Sequence, residues 1–119
     1  MQFKKREPIF HYPERFGFTK KDIIKQMHPN FWEVGASGNV YTKKDVIEIL
    51  LSRYNDPNYQ ENFEAKDFLL TKISKNNYLI TYTLIQDKVR YTKRATLWRK
   101  VKNNLQILYH QGTIISTYC

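Results

Sequence analysis

Tyr78-Leu79-Ile80-Thr81-Tyr82-Thr83-Leu84-Ile85-Gln86 is the stretch on which the fold turns. Aromatic and β-branched residues fill it, with no glycine or proline, and that composition reads as a β-strand. Lys75-Asn76-Asn77 before it and Asp87-Lys88 after it read as turns. Beyond those turns lie two more candidate strands. One runs from Asn62 to Ile73 with Phe63, Ala65, Phe68, Leu69 and Leu70, the other from Arg90 to Val101. Lys102-Asn103-Asn104 turns the chain again, and Leu105 to Ile115 is the fourth strand. Short turns join antiparallel neighbours, so residues 62–115 predict a four-stranded meander.

The first half of the chain reads differently. Thr19-Lys20-Lys21-Asp22-Ile23-Ile24 and Thr42-Lys43-Lys44-Asp45-Val46-Ile47 are near copies. In each, a threonine stands three places before an acid at the start of an apolar run, close to a capping box with Asp for Glu. Two helix starts explain this better than a duplicated site. The first helix is expected to be short, with Ile23, Ile24 and Met27 on one face and His28-Pro29-Asn30 as its stop. The second should run to about Tyr54, because Val46, Ile47, Leu50, Leu51 and Tyr54 share a face at helical spacing. Between them Phe31-Trp32-Glu33-Val34 reads as a short strand and Gly35-Ala36-Ser37-Gly38-Asn39 as a bend. Near the start, Pro8 is placed to open a helical turn over Ile9, Phe10 and His11, limited by Pro13.

Helices gathered ahead of an antiparallel sheet indicate an α+β fold. A long curved sheet with about three N-terminal helices on its inner face encloses a cone-shaped cavity. The 119 residues suit one domain, 1–119. Hydrophobic residues make up 41% and aromatics 15%, a globular and not a disordered composition. The lone cysteine, Cys119, fits a reducing compartment. No apolar run is long enough to span a membrane, and Met1 to Phe10 lacks the apolar core of a signal peptide. The expectation is a soluble, cytoplasmic protein.

Net charge is +9, which raises nucleic acid as a partner. However, 14 of the 20 basic residues are lysines, and they are scattered. The densest basic stretch, the 88–102 hairpin, comes with no RNA-binding motif, zinc-finger spacing or basic helix. A solvated basic surface is the preferred reading, with nucleic-acid binding the lesser one.

Five strings spread from residue 6 to 115 resemble one known family. They are Arg6-Glu7-Pro8-Ile9-Phe10-His11, Asn30-Phe31-Trp32-Glu33-Val34-Gly35-Ala36-Ser37-Gly38, Tyr78-Leu79-Ile80-Thr81-Tyr82-Thr83-Leu84, Arg94-Ala95-Thr96-Leu97-Trp98-Arg99 and Tyr109-His110-Gln111-Gly112-Thr113. In this order they resemble the nuclear transport factor 2-like, or SnoaL-like, superfamily, and more narrowly the bacterial domain of unknown function 4440 family. The resemblance implies the cone-shaped α+β fold, and dimerisation through the sheet as in other superfamily members. It does not select a reaction, because the superfamily holds isomerases, dehydratases, hydrolases and non-catalytic binders.

Glu33 stands in a strand of apolar neighbours, where a carboxylate needs a cationic partner or a raised pKa. It is a candidate general base or ligand acceptor; the alternatives are an internal pair with Arg94 or Arg99, or a cap on nearby backbone N–H groups. His110 is the histidine best placed to face a cavity, as an acid–base group or as a hydrogen-bonded structural residue. His11 and His28, beside prolines, read as structural. Arg94 and Arg99 fall on opposite faces of one strand, and an inward guanidinium would suit an anion. Trp32, Tyr82, Trp98 and Tyr109 are candidates for an aromatic ligand wall, with core packing as the alternative. Ser37 lies in no nucleophile elbow. Zinc, P-loop and dinucleotide signatures are missing from the sequence, so no metal or cofactor is expected. The expected function is small-molecule binding, with metal-free proton-transfer chemistry if there is turnover (isomerase, dehydratase or hydrolase type). A non-catalytic dimeric interaction module is the alternative.

Overall fold

The computed structural model describes residues 4–116; Cys119, on which the reading of a reducing compartment rests, lies outside them. A 3₁₀ turn, Lys4–Arg6, leads into the short helix α1, Pro13–Phe16. Helix α2 spans Lys20–Lys25 and strand β1 Met27–Val34. Strand β2, Val40–Thr42, runs directly into helix α3, Lys43–Tyr54. The four long strands follow: β3 Phe63–Ser74, β4 Asn77–Gln86, β5 Arg90–Val101 and β6 Asn104–Ile114.

Both threonine–aspartate strings cap helices. Thr19 Oγ1 accepts from the Asp22 backbone N–H at 3.1 Å, and Asp22 returns a bond to the Thr19 N–H. Thr42 and Asp45 repeat the arrangement at 3.1 and 3.0 Å. Each pair satisfies two backbone donors that a helix start leaves open. Two expectations fail nearby. Pro8 opens a single turn, closed by the His11 N–H to the Pro8 carbonyl at 3.3 Å, but with Phe10 at positive φ it is not helical; α1 begins at Pro13, where a missing N–H costs nothing. Nor does His28-Pro29-Asn30 end α2. That helix stops at Lys25, and Met27 already belongs to β1. Pro29 is tolerated in the strand because residues 28–31 fall in a register break, where the β1–β6 ladder skips from Met27 to Trp32.

The sheet has six strands in the order β2-β1-β6-β5-β4-β3. The meander β3 to β6 is antiparallel, as its turns predict. At the β4–β5 turn Asp87 and Lys88 both adopt positive φ, which suits the right-handed twist of a tight hairpin. The sheet is mixed, however, because β1 pairs with β6 in parallel. The bend at Gly35 to Asn39 forms a hairpin between β1 and β2, closed by Gly35 N–H to Asn39 O at 2.9 Å. Helix α3 packs over β1 and β2, and α2 packs against α3 and β1.

The inner face of the curved sheet is graded along its strands. At one end Ile80, Trp98, Leu105 and Ile107 meet Ile23, Met27, Phe31 and Ile47 in a dry core. Toward the other end the same face presents Thr96, Arg94, Gln86 and Arg90, which core packing cannot fill. A bulge in β6 makes this possible. Leu97 pairs with Tyr109 but Trp98 pairs with Ile107, so Leu108 is an extra residue. It lets both Ile107 and His110 face inward, although their numbers differ by an odd step.

Candidate functional site

Strand register brings the two main candidates together. Glu33 on β1 lies opposite His110 on β6, and His110 lies opposite Thr96 on β5. Paired residues project to the same face of a sheet, so Glu33, His110 and Thr96 form one row across the inner surface. In the next row Arg94 sits between Tyr82 and Gly112. A cavity of about 240 Å³ opens between this end of the sheet and α3. Glu33, His110, Arg94, Gln86 and Arg90 give its polar wall, while Ile9, Phe10, Leu84, Val46 and Leu50 give its apolar wall. Gly35, Ala36 and Ser37 from the glycine-rich bend also border it.

Glu33 is half-buried and makes no hydrogen bond or ion pair with any described residue. Burial raises its pKa, and the charges of Arg94 and Arg53 hold it down only in part. His110 is 4% exposed, and its Nδ1 lies 2.8 Å from Thr96 Oγ1. Burial, reinforced by the charges of Arg94 and His11, pushes its pKa down to about 3, so the ring is neutral. Its Nε2 is left without a protein partner among the described residues.

Behind His110 lies a group that the sequence did not single out. Glu7, 1% exposed, contacts Thr96 Oγ1 through both carboxyl oxygens. Its pKa is raised well above the ordinary range by burial, against the Thr96 hydrogen bond and the Arg94 charge. Glu7–Thr96–His110 is thus a buried chain that ends at the cavity. A hydroxyl has one proton to give. If Glu7 is protonated, it donates to Thr96, Thr96 donates to Nδ1, and Nε2 carries the ring proton. If Glu7 is ionised, every bond reverses and Nε2 becomes a lone-pair acceptor. In the sequence Glu7 stood only within the string Arg6-Glu7-Pro8-Ile9-Phe10-His11, with no role of its own.

The other candidates separate. Tyr82 and Trp98 are buried, at 0% and 1%, but border no part of this cavity. Tyr82 stacks on Phe68 at 5.1 Å, and neither the Tyr82 hydroxyl nor the Trp98 Nε1 has a hydrogen-bond partner among the described residues. Trp32 and Tyr109 lie on the outer face, their ring centroids 4.7 Å apart, with Trp32 45% exposed. Arg94 faces inward and Arg99 is exposed. His11 borders the cavity, and its Nδ1 bonds Glu61, which also accepts from the Tyr59 hydroxyl at 3.1 Å. Burial pushes the Glu61 pKa up, but the bond to His11, the His11 charge, the Tyr59 hydroxyl and the Arg53 charge together outweigh it and leave the pKa lowered.

The basic residues of the 88–102 hairpin take separate positions. Arg94 turns inward, Arg90 reaches the cavity mouth, and Lys93 donates to Thr83 Oγ1 at 2.9 Å. Among the described residues no three His, Cys, Asp or Glu side chains converge as a metal site would require, and no helix is long and apolar enough to cross a membrane.

No family model matches the chain, and no curated protein matches it. Solved structures do. An NTF2-like protein of unknown function from Pseudomonas aeruginosa has a TM-score of 0.74 at 14% identity, covering 98% of this chain and 100% of that one. An uncharacterised protein with a cystatin-like fold from Caulobacter vibrioides has a TM-score of 0.72 at 12% identity, covering 98% and 87%. An NTF2-like protein from Cytophaga hutchinsonii has a TM-score of 0.68 at 12% identity, covering 95% and 92%. At such identities the likeness concerns the backbone alone, and it establishes an α+β cone of the NTF2-like, or cystatin-like, fold.

Proposed function

We propose that the chain is a cytoplasmic pocket protein of the domain of unknown function 4440 type, which binds a small, partly apolar molecule in its cone and moves a proton on it. The observation that carries this reading is the pairing of Glu33 with His110 across the parallel β1–β6 ladder, both on one cavity. Glu33, with no protein partner, serves as the general base. Its pKa, raised by burial, strengthens it as a base near neutral pH. Neutral Glu7 sets the hydrogen-bond chain so that His110 offers Nε2–H to the cavity, where it stabilises negative charge developing on an oxygen. Isomerisation, dehydration and hydrolysis all draw on such a pair.

The test needs no knowledge of the natural ligand. Cyclohexanone in deuterium oxide should show protein-dependent exchange at its α-carbon. Glu33→Gln should lower the exchange rate by roughly a hundredfold, the usual scale of a general base. His110→Ala should lower it as well. Unchanged exchange and unchanged ligand-induced amide shifts in both variants would sink the assignment.

A second reading rests on the outer face. Register aligns Trp32, Tyr109, Leu97 and Leu79 in one row across β1, β6, β5 and β4. The exposed Trp32 ring beside the half-buried Tyr109 ring suits a two-fold partner, a second copy of this chain. Light scattering at high micromolar concentration should give a dimer mass, and Trp32→Lys should shift it toward the monomer. A monomeric wild type would remove this reading and leave the cavity untouched.

A further inference from the structure

We infer that the ligand of this cavity carries a carboxylate, and that Arg94 is the residue that receives it. The inference rests on the pocket reading above and names the ligand class for it.

Arg94 is a half-buried cation whose hydrogen bonds go only to neutral groups. Its Nε donates to Thr92 Oγ1 at 2.9 Å and one terminal nitrogen to Gln86 Oε1 at 3.5 Å. The only ion pair among the described residues joins His11 and Glu61, so no carboxylate of a described residue lies within 4.0 Å of Arg94. A guanidinium partly removed from water without a counter-ion is costly, and Arg94 lines the cavity. Space is made for the group deliberately. A Cβ at Gly112 would stand 2.9 Å from both Cζ and Nη1 of Arg94, so the missing side chain is what lets the guanidinium lie flat on β6.

The surrounding charge points the same way. Arg53 and Arg90 add two further cations to the cavity lining. Of the two acids there, Glu61 is already bonded by His11 and Tyr59, which leaves Glu33 as the one free carboxyl. A singly charged, planar anion suits Arg94, the one arginine of this lining that is not exposed to solvent. A guanidinium matches a carboxylate with two parallel hydrogen bonds. A phosphate dianion would meet Glu33 across a small cavity, with Arg94 as the only half-buried arginine in the lining and Arg53 and Arg90 exposed. The apolar side, Ile9, Phe10, Leu50 and Leu84, suits a short hydrocarbon body. The ligand class is therefore a small apolar carboxylic acid, anchored at Arg94 with its reactive carbon turned toward Glu33 and His110.

Hexanoate, hexanamide and inorganic phosphate are the probes, titrated into isotope-labelled protein with amide shifts as readout. Hexanoate should perturb the Arg94 and Gly112 amides and bind at least about tenfold tighter than hexanamide, the scale expected of a charge-assisted fork. Arg94→Gln should remove that preference, so that acid and amide bind alike. Gly112→Ala should do so too by displacing the guanidinium, which guards against a folding defect peculiar to one variant. Equal binding of acid and amide, or an unaltered preference in Arg94→Gln, overturns the carboxylate inference and leaves the pocket reading standing. Tighter binding of phosphate than of hexanoate also overturns it. If none of the three probes perturbs the cavity amides, the pocket reading falls with it.

Discussion

Between pH 4.5 and 6.5, the ordinary pKa values of a glutamate and a histidine, Glu7→Gln should tilt the stability curve upward with pH, and His110→Asn should tilt it downward. In the folded protein, burial keeps Glu7 protonated well above its ordinary range, although the Thr96 bond and Arg94 oppose this. Burial, with the Arg94 and His11 charges, keeps His110 unprotonated down to about pH 3. The folded pair therefore carries one proton, on Glu7. The unfolded pair also carries one in this window, on the histidine. Equal proton counts give no slope, so the two contributions cancel in the wild type.

Each variant removes one side of that balance. With Glu7→Gln, only His110 remains, and the unfolded state binds the extra proton. Stability then rises up to pH 6.5 and is lost as pH falls toward 3. With His110→Asn, only Glu7 remains, and the folded state binds the extra proton. Its contribution is fully present below pH 4.5 and declines as pH rises toward the raised Glu7 pKa. Each slope, taken relative to wild type so that Glu33 and Glu61 drop out, should approach about 1.4 kcal/mol per pH unit. Urea unfolding at closely spaced pH values measures it. Parallel curves for all three proteins would mean that the buried pair titrates normally.

Trp98→Ala should cost about 3–5 kcal/mol of stability, the range for deleting a buried aromatic side chain. Trp98 is among the largest fully buried side chains and lies in the dry half of the cone with Ile80 and Ile107. Trp98→Phe should cost much less. Its lost Nε1–H has no protein acceptor among the described residues, so no such hydrogen bond disappears with it. Denaturant midpoints would separate the two. A cost for Trp98→Phe as large as for Trp98→Ala would show that Nε1 has a partner after all, such as a buried water.

Local chemistry was legible in the sequence, and long-range pairing was not. The strands from residue 63 onward and both capped helices follow from composition, alternation and threonine–aspartate spacing, all of which act within a few residues. The parallel β1–β6 ladder is invisible locally because its partners come from distant parts of the chain. The bulge at Leu108 was hidden too, since strict alternation places Ile107 and His110 on opposite faces. Glu33 and His110 stood out as polar residues in apolar company. Glu7 did not, because its burial depends on Thr96 arriving from β5. Trp32 and Tyr109 could be read as aromatic but not as outward-facing, which only the register decides.

The parallel ladder has a consequence for the order in which this protein assembles. Most of the sheet can zip from one hairpin to the next, each closing a short loop at small entropic cost. The β1–β6 contact must instead wait for the final strand and close a loop that contains about two-thirds of the chain, the slow kind of step in folding. Glu33 meets His110 only at that step. Until β6 is in place, Glu33 and His110 have no strand pairing to hold them together.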